Sequence, residues 1–145
     1  MLTHEENMLM CRVEGDAPMG QFMRRHWQVV CLSEEVPEPD GTPVRARVLG
    51  ENLVVFRDTE GQVGVLDEQC PHRRASLVYG RNEHGGLRCL YHGWKMDVSG
   101  HVIEMSSEPT GSGLVSKVKH KAYPTHELAG FFFFNNTPTT KIYTY

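Results

Sequence analysis

Apolar residues along this chain come in short bursts, not at helical spacing. Trp27–Leu32, Val44–Leu49, Leu53–Arg57 and Val63–Leu66 are each brief, rich in valine and leucine, and bounded by turn formers. That length and composition predict β-strands. Pro37-Glu38-Pro39-Asp40-Gly41 reads as a loop. Asp58-Thr59-Glu60-Gly61 reads as a hairpin turn in which Gly61 is free to take positive φ. Asp97-Val98-Ser99-Gly100 repeats that chemistry between Trp94–Met96 and His101–Glu104. One short helix is predicted near the start, with Asp16 as its cap, Pro18 in its first turn and a run through Met19 to about Arg25. Met19, Phe22 and Met23 are expected to pack it. The Ser-, Gly- and Pro-rich stretch Glu104–Ser116 predicts loop, and partial alternation over Val115–Tyr123 predicts a late strand. Short strands at this spacing predict a mainly β fold, a small antiparallel sandwich or barrel.

Length and charge narrow the picture. The 145 residues suit one domain with a real core, and a net charge of −3 gives no electrostatic case for nucleic acid or an anionic membrane. No apolar run approaches the roughly 18 residues of a membrane-spanning helix. Phe131–Phe134 is far shorter, and Met1–Gly20 lacks a secretory apolar core. The expected location is the cytoplasm. Of four cysteines, Cys11 lies in a polar stretch and Cys31 ends an apolar run as core filler.

The other two cysteines carry the chemistry. Cys70-Pro71-His72-Arg73 and Cys89-Leu90-Tyr91-His92-Gly93-Trp94 each supply one Cys and one His, with residues 73–88 between them. Two thiolates and two imidazoles suit a [2Fe–2S] centre with cysteines on one iron and histidines on the other. Two ferric ions, two sulfides and two thiolates sum to zero charge, so an added electron is accepted more easily than by a four-thiolate centre. A structural zinc site is the competing reading, since zinc takes Cys2His2 sets. Zinc fingers usually pair two Cys on one knuckle and two His on the other, whereas here each knuckle gives one of each.

These residues resemble the Rieske family. The resemblance extends through His4-Glu5-Glu6-Asn7, Pro18-Met19-Gly20, Met23-Arg24-Arg25, Phe56-Arg57-Asp58, Gly85-Gly86-Leu87-Arg88-Cys89, Ser107-Glu108-Pro109 and Lys121-Ala122-Tyr123-Pro124. Together they are similar to the N-terminal domain of the oxygenase subunit of aromatic-ring-hydroxylating Rieske non-haem iron oxygenases, in the phthalate and phenoxybenzoate dioxygenase branch. The resemblance implies a Rieske fold with the cluster loops at hairpin tips. It implies a Rieske [2Fe–2S] cluster bound by Cys70, His72, Cys89 and His92. It implies partners too: a flavin and iron–sulfur reductase, an oxygenase catalytic domain or subunit, and a homo-oligomer, a trimer in relatives. The division expected is an N-terminal segment with its helix (1–26), the Rieske domain (27–130) and a divergent end (131–145). No cysteine pairs the two loops, unlike Rieske proteins of respiratory complexes.

The remaining histidines, His4, His26, His84, His101, His120 and His126, show no spacing suited to the family's mononuclear iron, so no catalytic residue is expected in this chain. Three readings stay open: an electron-transfer module of such an oxygenase, a free-standing Rieske ferredoxin, and a zinc-stabilised interaction domain. Arg73 and Arg74 are read as either cluster-stabilising, partner-docking or merely solvated. Trp94 reads as a water shield or core packing, Tyr91 as packing, and His84 as a turn tip. The second loop reads His92-Gly93-Trp94, with no hydroxyl residue directly after the glycine, where the resemblance places a serine in high-potential Rieske proteins. The missing hydroxyl implies a potential at the low end of the Rieske range, on the order of −150 mV.

Overall fold

A computed structural model describes residues 1–109 and 113–135. The apolar bursts form β1 (Gln28–Leu32), β2 (Val44–Val48), β3 (Glu51–Arg57) and β4 (Val63–Asp67). Shorter strands follow: β5 (Arg81–Glu83), β6 (Gly86–Arg88), β7 (Lys95–Met96) and β8 (Val102–Glu104). The last are β9 (Ala122–Tyr123), β10 (Thr125–Leu128) and β11 (Phe131–Phe134). They pair antiparallel in three sheets, ordered β1-β11-β10, β2-β3-β4-β9 and β5-β6-β7-β8. The mainly β, antiparallel fold expected from the sequence is the one observed.

The middle sheet explains the most apolar strand. Leu53, Val54, Val55 and Phe56 are all fully buried. Successive side chains on a strand point to opposite faces, so β3 feeds two cores. Val54 and Phe56, with Leu66, pack against Cys70, Leu77, Leu87, Cys89, Trp94 and Met96. Leu53, Val55 and Val65 pack against Val30, Val36, Phe132 and Phe134. A continuous apolar run is what a strand covered on both faces requires. Burial of Phe132 and Phe134 contributes roughly 2 kcal/mol each.

The turns follow their residues. Gly61 (φ 83°) closes the β3–β4 hairpin, with Asp58 N–H donating to Gln62 O at 2.8 Å. His84 and Gly85, at φ 48° and 77°, form the two-residue turn between β5 and β6. His84 is therefore a turn tip, as its neighbours suggested.

Three expectations change. The predicted helix is α2 (Pro18–Met23), and it begins at Pro18 behind Ala17, with no side-chain cap from Asp16. Its Phe22 is exposed, with its ring edge-on to His26. A further helix, α1 (His4–Cys11), precedes it, held by a capping box between Thr3 and Glu6. The Thr-x-x-Glu signature was present in the sequence. The late strand over Val115–Tyr123 breaks up: Val115–Lys117 is a 3₁₀ turn and only Ala122–Tyr123 is strand. Lys119 bridges to His101 beside β8, while Ala122 pairs with Leu66 on β4. A segment that crosses between two sheets cannot ladder along either for long. Residues 110–112 of the predicted loop and 136–145 of the divergent end lie outside the described residues.

Candidate metal centre

The two candidate loops follow one backbone path. In the first, Cys70 N–H donates to Ala75 O at 2.9 Å and Arg74 N–H to Cys70 O at 2.9 Å. In the second, Cys89 N–H donates to Trp94 O at 2.8 Å and Gly93 N–H to Cys89 O at 3.0 Å. The first leaves β4 and is closed by the Gln69–Ser76 bridge; the second joins β6 to β7. This path demands a left-handed residue four after each cysteine, and Arg74 (φ 57°) and Gly93 (φ 72°) supply it. Glycine does so freely, whereas a side chain there costs about 1 kcal/mol.

The loops bring all four candidate residues together. Cys70 and Cys89 are both 2 % exposed and interact through their thiols. The rings of His72 and His92 lie 4.5 Å apart, half-buried, on the solvent side of the sulfurs. Burial pushes the Cys70 thiol up to about 11, while N–H groups of His72 and Arg73 donate toward its sulfur and oppose that rise. His92 is held below its ordinary value by partial desolvation and by His72 and Arg73 beside it. His72 Nδ1 is buried and has no hydrogen-bond partner. A buried unpaired nitrogen is costly unless something ligates it. Among the described residues, no three His, Cys, Asp or Glu side chains converge on a single metal ion. A two-iron centre instead separates a sulfur pair from a nitrogen pair, and these donors are arranged that way.

Trp94 packs in the core, one of its two expected roles. It is 8 % exposed within the core and stacks on His72 at 4.7 Å and 5°. Tyr91 does not pack inside; it is 61 % exposed and leans on His92, because the second loop carries it at its outer tip. Arg73 and Arg74 are exposed. Ser106, in the loop after β8, donates to Gly93 O at 3.2 Å, so that loop lies against the second candidate loop.

Buried charge anchors each loop, and sequence reasoning missed it. Glu68, two residues before Cys70, accepts from Ser76 Oγ at 2.6 Å and from Arg45 at 2.7 Å. Burial raises the Glu68 carboxyl, but those bonds outweigh it and leave it lowered. Arg88, one residue before Cys89, donates to Gly93 O at 3.0 Å and pairs with Glu83 and Glu104 at 2.6 Å each. Glu104 also pairs with Lys95, which is 3 % exposed. Lys95 between Trp94 and Met96 was the available signal, since a lysine in an apolar strand needs a partner. All four cysteines are free thiols, and Cys31 is buried as expected, its thiol pushed up to about 11 by burial and by Glu35.

The model of the Rieske [2Fe-2S] domain matches residues 26–124. The chain belongs to the Rieske [2Fe-2S] domain family. This Rieske domain is 74% identical over 131 residues to the phthalate 4,5-dioxygenase oxygenase subunit of Pseudomonas putida, covering 90% of this chain and 30% of that protein. It is 38% identical over 138 residues to phenoxybenzoate dioxygenase subunit alpha of Ectopseudomonas oleovorans, covering 95% of this chain and 33% of that one. Among solved structures, it matches a chain of the reduced complex between oxygenase and ferredoxin in carbazole 1,9a-dioxygenase, with a TM-score of 0.69 and 30% identity over 81% of this chain and 30% of that chain. The Rieske domain thus spans about a third of the length of the relatives it matches. Its cofactor is a Rieske-type [2Fe–2S] cluster, which sets the zinc reading aside. No helix among the described residues is long and apolar enough to cross a membrane.

Proposed function

We propose that this chain carries single electrons as the Rieske module of a ring-hydroxylating oxygenase, with Cys70 and Cys89 on one iron and His72 and His92 on the other. One observation supports it most: mirrored loops place a sulfur pair inside and an imidazole pair outside, with His72 Nδ1 unpartnered. A bound [2Fe–2S] cluster supplies a one-electron couple. The chain's own residues set the conditions for it. The two thiolates supply negative charge in a nearly dry core. N–H groups of His72 and Arg73 aimed at Cys70 Sγ offset that charge and favour the reduced state. Trp94 closes one side against water. Exposed Leu90 and Tyr91 offer a partner an apolar contact beside His92.

The proposed module is residues 27–130, preceded by 1–26 and followed by 131–145. Its proposed partners are a flavin and iron–sulfur reductase and an oxygenase catalytic domain or subunit, within a cytoplasmic homo-oligomer. Iron and sulfide analysis, followed by reduction with such a reductase, tests the reading. About two irons and two sulfides per chain and a reducible centre near −150 mV are expected. A loaded chain that no reductase reduces overturns it.

A further inference from the structure

Arg74 occupies a position that the second loop gives to glycine. The two loops share their hydrogen bonds, and φ is 57° at Arg74 and 72° at Gly93. The backbone therefore does not ask for an arginine there. Beside it, a cleft of about 530 Å³ is walled by Cys70, Pro71, Asp67, Arg74, Lys119 and Lys121. Lys121 is paired with Glu51 at 2.6 Å, and Asp67 Oδ1 accepts from Gln69 N–H at 2.8 Å. Arg74 and Lys119 have no side-chain hydrogen bond or ion pair among the described residues. Both are exposed, as is Arg73 on the side toward His92. The whole chain is acidic at −3, so unpaired cations gathered at this one face are a local feature.

We propose that Arg74 and Lys119, with Arg73 at the rim, form a docking seat for the acidic surface of the protein that delivers electrons to the cluster. This rests on the electron-transfer reading above. Unpaired guanidinium and ammonium groups suit carboxylates, by charge complementarity and by the bidentate fork of arginine. Cys70, itself buried, lies at the wall of the cleft, so a partner seated there comes close to a proposed cluster ligand without touching much of it. Charged rims of this kind steer encounter and raise association rates.

The test uses the full, cluster-loaded chain and the reductase component of a phthalate dioxygenase system. Binding is titrated calorimetrically, and reduction is followed by stopped flow, at about 20 mM and about 500 mM salt. Arg74→Gly and Lys119→Gln are each expected to weaken binding and slow reduction roughly three- to tenfold at low salt. The difference shrinks at high salt, where exposed charges are screened. Arg74→Lys, which keeps the charge, restores most of the rate. The melting temperature of Arg74→Gly stays within about 4 °C of native, where loss of a structural arginine would lower it further. If both charge-removing variants bind and react like the native chain at low salt, the seat is wrong and the electron-transfer reading stands. A native chain that is loaded but not reduced overturns that reading and the seat with it. Phosphate or phthalate binding that depends on Arg74, with reductase binding indifferent to it, makes the cleft a small-anion site and overturns the docking seat.

Discussion

The first ligand loop puts Arg74 where the second puts Gly93, and it is anchored on a buried carboxylate where the second is anchored on a guanidinium. The backbone path is the same in both, as two facing pairs of proposed ligands would require. What differs is how each loop is held. Glu68 grips the first from the strand side, accepting from Ser76 and Arg45. Arg88 reaches into the second turn and binds Gly93 O directly, with Ser106 on the same oxygen. The second loop is gripped at its tightest point; the first is left open toward a charged cleft. One centre can thus have a fixed side and a side available to a partner.

The largest effects should be symmetric. Cys70→Ser and Cys89→Ser are each expected to abolish the cluster, since a hydroxyl supplies neither the charge nor the soft donor. Iron and sulfide analysis checks this, and a normal cluster in either variant removes that loop from the site.

Next come the two left-handed positions, where the loops should part. A Cβ at Gly93 would stand 2.5 Å from Ser106 Oγ at φ 72°. Gly93→Ala should therefore cost about 2 kcal/mol or more. Arg74→Gly should stay within about 1 kcal/mol of native, because relief at φ 57° offsets the added freedom of the unfolded chain. Denaturant titration reads both, and equal losses would erase the distinction between the loops.

A smaller contrast separates the anchors. Arg88→Met leaves Gly93 O and two carboxylates short of their donor, a loss of about 2 kcal/mol. Arg45 is 49% exposed in its side chain, so Arg45→Met should cost about half that. Thermal melts of the two variants check the order.

The smallest effect is in acid. Glu104 is lowered from 4.5 chiefly by its bond from Lys95 and then Arg88, and Glu83 chiefly by Arg88. A carboxyl with a lowered native pKa adds stability that is present above 4.5 and is lost as pH falls through the native value. The second loop's anchor has two such carboxylates and the first has Glu68 alone. Melting temperature should therefore fall below about pH 4, and Glu104→Gln should flatten that fall more than Glu68→Gln does.

Strand positions were legible because they depend on local pattern. Val54 and Phe56 alternate with Leu53 and Val55, and any sheet covered on both faces would need them apolar. The turns at Gly61 and His84-Gly85 were legible for a similar reason, since positive φ favours few residues. Helix α1 was missed although its capping box was in plain view, because none of its residues is buried and no apolar stripe marks it. The broken strand at Val115–Tyr123 was not legible, since which sheet each residue meets is a long-range fact.

By itself the sequence singled out the proposed donor set: two Cys and two His in two short loops, a choice that rests on charge and softness. It also determined the β character, through short valine- and leucine-rich bursts bounded by turn residues, a pattern that acts over a few residues. Only the tertiary structure decided that Arg88 holds Gly93, that Lys95 is buried against Glu104, and that Arg74 stands unpaired beside Lys119. Lys119 lies 45 residues beyond Arg74. Residues so far apart meet only when the whole chain has packed. Charge complementarity acts over a few ångströms in space and leaves no period in the chain.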